Sequence, residues 1–217
     1  MKNLILALLV FTSGIVFGQD KINITLKKQL DSIMILETRR HDLHPLIDPL
    51  KRDTTVQGYS ANDQVLYAKI WKEQDRIDSL NVVFVDSIFK IYGYPGKTLV
   101  GPGTIEVAWY VIQHANDKFK YMPVIKKAAE NGELFYKYYA MMVDQQLVSQ
   151  KKEQIYGTQA VCSKPHGSQE YVCFIWPIKD AETVNERRKK AGLESTVEEN
   201  AKVMHITYKV LKLADIQ

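Results

Sequence analysis

The sequence predicts a mainly α protein, a single-domain helical bundle with one appended antiparallel β-hairpin. Three observations carry this. Apolar residues recur at intervals of three and four along most of the chain, the period of helices with one buried face. Only the flanks of Lys164-Pro165-His166-Gly167-Ser168 are instead rich in Tyr, Val, Ile, Phe and Trp, the residues that suit a pleated strand. The composition is that of a globular chain: 217 residues, 46% hydrophobic and 25% charged, with 11 Gly, 7 Pro and 2 Cys. It excludes a collagen, a disulfide-dense mini-protein and a disordered tail, and at roughly 150 residues per domain it favours one domain.

The first segment is an address. Lys2 supplies a positive start, Leu4 to Phe17 an apolar run, and Val16-Phe17-Gly18 small residues before Gln19. This is the pattern of a secretory signal peptide over residues 1–18. Read as an uncleaved anchor, the run would reach only about 21 Å as a helix, short of the ~30 Å hydrocarbon core. No Cys follows the cleavage point to be acylated, and no later stretch is long and apolar enough to span. The mature chain, from Gln19, is expected to be exported, periplasmic or extracellular, with no transmembrane segment.

Residues 19–61 hold an N-terminal helix and an irregular connection. Leu26, Leu30, Ile33 and Met34 share a helical face from Thr25, and the helix is expected to end near His41; Pro45, Pro49 and Gly58 then interrupt the chain. Residues 62–217 are expected to form the helical domain. Asn62 caps a long helix whose Leu66, Ile70, Ile77, Leu80, Phe84, Ile88 and Ile91 repeat at three and four, up to Gly93-Tyr94-Pro95-Gly96. A third helix is expected from Thr104 to about Asn116. A fourth runs from about Lys118 to Glu130, with Asn131-Gly132 as its stop, and a fifth from Glu133 to about Val148. The hairpin occupies about 154–176. A sixth helix is expected from Ala181 to Ala191, stopped by Gly192, followed by an amphipathic or strand-like tail from Val197 to Leu213.

Centring the hairpin between Gly167 and Ser168 places Cys162 directly opposite Cys173. In an oxidising compartment this favours a disulfide; two reduced, buried thiols are the other reading. A metal site through His166 lacks further cysteines.

Charge excludes one class of partner. The 29 Lys and Arg against 25 Asp and Glu leave a net charge of +4, and the basic residues are interspersed, with no stripe to follow a phosphate backbone. Nucleic acid is not expected. Gly96-Lys97-Thr98 mimics the end of a phosphate loop, but position 91 is Ile where that motif needs Gly, and the segment follows a helix, not a buried strand. It reads as a tight helix-to-helix connection.

The candidate site lies on the third helix. Ile105, Val107, Ala108, Trp109, Val111, Ile112 and Ala115 surround it with apolar groups, yet Glu106, Tyr110, Gln113 and Asp117 form a polar stripe, with His114 beside Asp117. Polar groups in a core must be paired, so the stripe means an internal network or a site. A second patch, Glu73, Gln74, Asp78 and Asn81, interrupts the long helix. If the patches face each other, His114 can move a proton with Asp117 or Asp78 orienting it, or His114, Asp117 and Glu73 can hold a divalent metal. The plainer reading is a satisfied core network.

Asp78-Ser-Leu-Asn81, Tyr92-Gly-Tyr-Pro95, Trp109-Tyr-Val-Ile-Gln-His-Ala115, Gln154-Ile-Tyr-Gly-Thr-Gln159 and Val184-Asn-Glu-Arg-Arg-Lys-Lys-Ala-Gly-Leu193 follow one another in an order that resembles a bacterial domain-of-unknown-function family, over roughly residues 62–200. The resemblance implies no activity, substrate or cofactor, and the cofactor is unknown. It does imply recurring polar positions, here Asp78, Asn81, Gln113, His114, Asp144, Gln154, Tyr156, Gln159, Arg187 and Arg188. The chain departs from the family pattern at Asn116, where Asp is usual, and at Gln145, where Arg is usual.

Read physically, Gly157 lets the backbone bend, and Tyr156, Thr158 and Gln159 offer neutral hydrogen bonds, either to a polar ligand or to a bulged strand. Arg187 and Arg188 read most simply as solvated charges. The functional expectation is an exported protein that binds a small polar ligand or an envelope partner in a pocket around His114, lined by Glu106, Tyr110, Gln113, Asn81, Asp144, Tyr156, Thr158 and Gln159. The alternative is a hydrolase-like enzyme with His114 as general base, Asp117 or Asp78 as its partner, and metal assistance through Glu73.

Overall fold

The computed structural model describes residues 22–35, 61–163 and 171–216, with the backbone alone at 61–67 and 70. The segment read as a signal peptide, the connection 42–60, the end of the first helix at His41 and the hairpin turn with His166 lie outside the described residues. The fold is mainly α with one antiparallel hairpin.

Helix α1 covers 24–35. Asn23 starts it, its Oδ1 accepting the Leu26 N–H at 3.0 Å, a side-chain cap for an otherwise unpaired amide. Leu26, Leu30 and Ile33 are buried, so the apolar stripe read from the sequence is the face that packs. On its polar side, Thr104 Oγ1 donates to Asp31 Oδ1 (2.6 Å), and Lys27 Nζ donates to Thr104 Oγ1 (2.8 Å) and to Asp31 Oδ2 (2.6 Å). Thr104 is fully buried, which makes this triad a latch between α1 and the chain far downstream.

Helix α2, Ala61–Tyr92, is the long helix expected, and Gly93 ends it at φ +73°. A short helix that the apolar pattern did not announce, α3 (Lys97–Val100), follows. The amides a phosphate would need are occupied: Lys97 N–H donates to the Glu133 carbonyl (3.1 Å) and Thr98 N–H to Glu133 Oε2 (2.9 Å). Gly96 is required here by proximity, because a Cβ would come within 2.4 Å of Glu133 Cβ.

The third helix is shorter than its pattern. Helix α4 is Val107–Ile112, six residues where Thr104 to Asn116 was expected. Gly103, at φ +92°, holds the preceding chain in a turn; Thr104 is spent on the α1 latch. At the other end, Gln113, His114 and Ala115 bond back to Tyr110, Val111 and Ile112, the three-residue tightening that closes a helix. Its interior reading holds, since Val107, Ala108, Trp109, Val111 and Ile112 are all buried.

The fourth element is divided, a 3-10 turn at Lys118–Tyr121 leading into α5, Met122–Glu130. Pro123 sits at the start of α5, where its missing N–H costs nothing. Gly132, at φ +72°, is the expected stop. Helix α6, Tyr136–Ser149, starts three residues later than Glu133, because Glu133 is engaged with α3. Helices α1 to α6 enclose one core built around Leu30, Ile112, Ile125, Leu134 and Met142.

The hairpin has the expected register on shorter strands. Strands β1 (Ala160–Ser163) and β2 (Val172–Ile175) pair antiparallel, with Cys162 opposite Cys173 and a disulfide between them. Residues 154–159 are not strand; only Gln154 makes an isolated bridge, to Ile178. A 3-10 turn at Ala181–Thr183 leads to α7, Val184–Lys190, with Gly192 beyond it at φ +76°. The tail is helical over α8, Val197–Val203, which Thr196 and Glu199 start with a reciprocal capping box, and again in a 3-10 turn at Leu213–Asp215. His205, at φ +59°, turns the chain out of the helix, and Ile206 and Tyr208 then lie against a second small core of Ile175, Ile178, Val184, Val197 and Ala201.

Candidate functional site

The two polar patches meet where α2 passes the end of α4. His114 Nδ1 lies 3.6 Å from Asp78 Oδ2, with 25% and 12% of the respective side chains exposed. That is ion-pair range, beyond a good hydrogen bond. The other Asp78 oxygen accepts from Gln74 Nε2 at 2.7 Å, one turn back on α2. Asn81 lies one turn forward on the same face, and its buried Nδ2 has no hydrogen-bond partner among the described residues.

Lys118 closes the group, donating from Nζ to Gln113 Oε1 at 3.3 Å. Burial lowers the Lys118 pKa from its ordinary value. Gln113 Nε2 in turn makes a long bond, 3.4 Å, to the Trp109 carbonyl. The contact between α2 and the end of α4 therefore carries a carboxylate facing an imidazole, with an ammonium and amides on the neighbouring residues.

Other expected members are elsewhere. Glu73 is on the exposed face of α2, paired with Arg76 at 2.6 Å. Asp117 is exposed in the turn that precedes the 3-10 helix. Shortening of α4 breaks the stripe: Glu106 is its N-terminal flanking residue and Asp117 lies five residues past its end. Among the described residues, no three His, Cys, Asp or Glu side chains are grouped to hold a metal, so Glu73, His114 and Asp117 do not form one site. Tyr110 packs edge-on against Trp109 and Tyr138, and burial, then the Glu106 charge, raises its phenol above the ordinary range.

The Tyr156 to Gln159 turn, expected to close the same pocket, is instead held by α6 and α7. Asp144, fully buried on α6, accepts the N–H groups of Ile155 (2.7 Å), Tyr156 (3.0 Å) and Thr158 (3.0 Å) and the Thr158 hydroxyl (2.9 Å). Gln154, also fully buried, takes the Gln159 N–H on Oε1 and gives Nε2 to the Gln159 and Trp176 carbonyls. Gln159 Nε2 returns to Thr158 Oγ1 at 3.0 Å. Tyr156 is half-buried, and burial, with Tyr136 beside it, pushes its phenol up to about 12.

The arginines are not solvated charges. Arg188 is 1% exposed and donates to the carbonyls of Ser195 (2.7 Å), Tyr156 (2.8 Å) and Gly157 (3.3 Å). Arg187 reaches the carbonyls of Ile155, Lys179 and Asp180. Neither takes Asp144 as a hydrogen-bond partner; they hold the carbonyls of the turn whose amides Asp144 holds. Gly157, at φ +65°, lies where a Cβ would come within 2.7 Å of Ile178 Cδ1, so any side chain here would meet both backbone strain and crowding.

A model of a family of unknown function, DUF6624, matches residues 49–213. The chain belongs to this family. No curated protein and no solved structure matches it. The matched DUF6624 region begins after α1, so three residues of the main core, Leu26, Leu30 and Ile33, come from outside it.

Sequence reasoning missed Lys118, whose only signal was a lysine beside Phe119 and Tyr121 on an apolar face. It also missed a cleft of about 470 Å³ between α2, α3 and α5, lined by Tyr92, Thr98, Lys127, Asn131 and Glu133 among others. None of the expected site residues lines it.

Proposed function

We propose that this protein is exported and binds a small polar ligand, or a polar group of an envelope partner, where α2 meets the end of α4. The observation that carries the reading is the His114 and Asp78 pair at 3.6 Å, partly open to solvent. Lys118, Gln113 and Asn81 add donors, and Asn81 Nδ2 has no hydrogen-bond partner among the described residues. A buried donor without a partner costs free energy that a ligand oxygen would recover. The excess of donors suits a ligand bearing a carboxylate, a carbonyl or hydroxyls.

Export rests on the charged start and apolar run of residues 1–18. The disulfide agrees with an oxidising compartment, and no described helix is long and apolar enough to cross a membrane.

A second reading is favoured by the same pair. A carboxylate facing Nδ1 fixes the imidazole tautomer with its lone pair on Nε2, the form a general base needs. In a hydrolase of this kind Asp78 orients, His114 takes the proton from water, and Lys118 or Asn81 steadies the oxyanion. Asp117 and Glu73 are not placed to help.

The test is a thermal-shift screen of residues 19–217, purified from an exporting host, against a panel of metabolites and divalent metals, with His114→Ala and Asn81→Ala alongside. A shift of several degrees, lost in both variants, supports the site. No shift for the parent, with His114→Ala itself melting several degrees lower, assigns the group to core architecture. Hydrolysis of ester or amide substrates that His114→Ala and Asp78→Asn abolish would select the second reading.

A further inference from the structure

We propose that the cleft between α2, α3 and α5 is a second binding site, for a zwitterion of the size of an amino acid or dipeptide. Its volume, about 470 Å³, falls in the range of about 300–1,000 Å³ that small-ligand sites occupy. Leu99, Val124 and Ala128 give it an apolar wall, and its polar groups are of both signs, Lys127 against Glu133.

The Tyr94 hydroxyl in the cleft is spent on the Ile105 carbonyl, while several other polar groups there are solvent-exposed and open to a ligand. Among the described residues, the Lys127 ammonium, the Asn131 amide and the hydroxyls of Tyr92 and Thr98 have no hydrogen-bond partner in the protein. Three carboxylates elsewhere are spent internally: Asp144 on a turn, Asp31 on Lys27 and Thr104, Asp86 on Tyr121 and Lys90. Glu133 gives Oε2 to the Thr98 N–H and keeps Oε1.

The backbone sets the ligand's orientation. Helices α2 and α5 both end at this cleft, at Tyr92 and Glu130, and their C-termini bring partial negative charge to it, with the Lys127, Ala128 and Ala129 carbonyls already bonded to the chain that follows. With Glu133 Oε1 these helix ends form the ammonium end. Lys127 and Asn131 form the carboxylate end, and the ligand's side chain lies along Val124 and Leu99. A phosphate is disfavoured, because Glu133 already fills the amides at the start of α3.

The test is amide-resolved NMR of the ¹⁵N-labelled protein, titrated with the common amino acids and simple dipeptides singly, and with glucose as a neutral control. The expected result is movement of the Gly93, Thr98 and Asn131 amides by one or more zwitterions. Lys127→Met, a surface change that leaves the fold intact, should weaken binding about tenfold or more, the loss of one charge-assisted bond. His114→Ala should leave it unchanged, which separates this site from the one proposed above. Movement by glucose alone, equal affinity in Lys127→Met, movement confined to Gln113 and His114, or none at millimolar ligand would each overturn the proposal.

Discussion

Asp144 and Thr158 are joined twice through one oxygen: Asp144 Oδ2 accepts the Thr158 N–H at 3.0 Å and the Thr158 hydroxyl at 2.9 Å. With Ile155 and Tyr156 on the same carboxylate, a single α6 side chain organises the entry to the hairpin. Removing it strands three amides. Asp144→Ala should therefore cost about 3 kcal/mol or more, at about 1–3 kcal/mol for each buried group left unsatisfied. Thr158→Val, which loses only the hydroxyl bond, should cost about 1 kcal/mol. Urea unfolding of both single variants and the double one checks this, and additive losses would mean the pair is not coupled.

Asp144 also gives stability a pH dependence of unusual sign. Burial, opposed by its hydrogen bonds, raises its carboxyl above the ordinary 3.8. Between 3.8 and the raised folded value, the folded state holds a proton that the unfolded state has released, so stability falls as pH rises through that window. Asp31 and Asp86 act oppositely: Lys27 and Lys90 hold their carboxyls below the ordinary range, and their contribution is lost as pH falls through those lowered values. Subtracting the pH–stability curve of Asp144→Asn from that of the parent should isolate the first effect. A difference that rises with pH in that window would contradict the assignment.

Why Asp144 escaped sequence reasoning, except through family resemblance, is physical. Along α6 it is one charged residue between Val143 and Gln145, and its partners are main-chain amides that carry no sequence signal. Arg188 is hidden for the same reason, since its acceptors are carbonyls. The features that were legible are periodic or paired: the apolar face of α1, the glycine stops at 93, 132 and 192, and the register that sets Cys162 against Cys173; on α2 the expected Leu80 and Ile91 are exposed and Val85 is buried instead. The convergence of Asp78 with His114 was readable only because both lie in polar interruptions of apolar helices. The cleft was not, because its lining comes from three helix ends whose meeting is a tertiary fact.

The Cys162 and Cys173 bridge closes a loop with a sequence separation of 11. Chain-entropy arguments give such a short loop about 2–3 kcal/mol. Reduction, or Cys162→Ser with Cys173→Ser, should lower stability by that amount while leaving the α1 to α6 core folded, because Ala160 and Ile175 of the strands belong to the smaller core. Parallel urea unfolding and amide NMR would check both parts. Loss of the Leu30 and Ile112 signals on reduction would show that the hairpin supports the main core.

The family match starts at residue 49, yet α1 lies before it and fills the same core. Leu30 is fully buried, and Leu26 and Ile33 flank it on the packed face. Leu30→Ala should cost about 2–5 kcal/mol, as for other large core residues cut to alanine. Thr104→Val should cost more than a lone hydroxyl is worth, because it leaves Asp31 and Lys27 without the buried group that joins them to the domain. A chain beginning at residue 49 should then melt well below one beginning at Gln19 and bind a hydrophobic dye, since the groove for α1 would be open. Equal melting temperatures would mean that the matched region closes over that groove unaided, and that α1 is an accessory held by its polar latch.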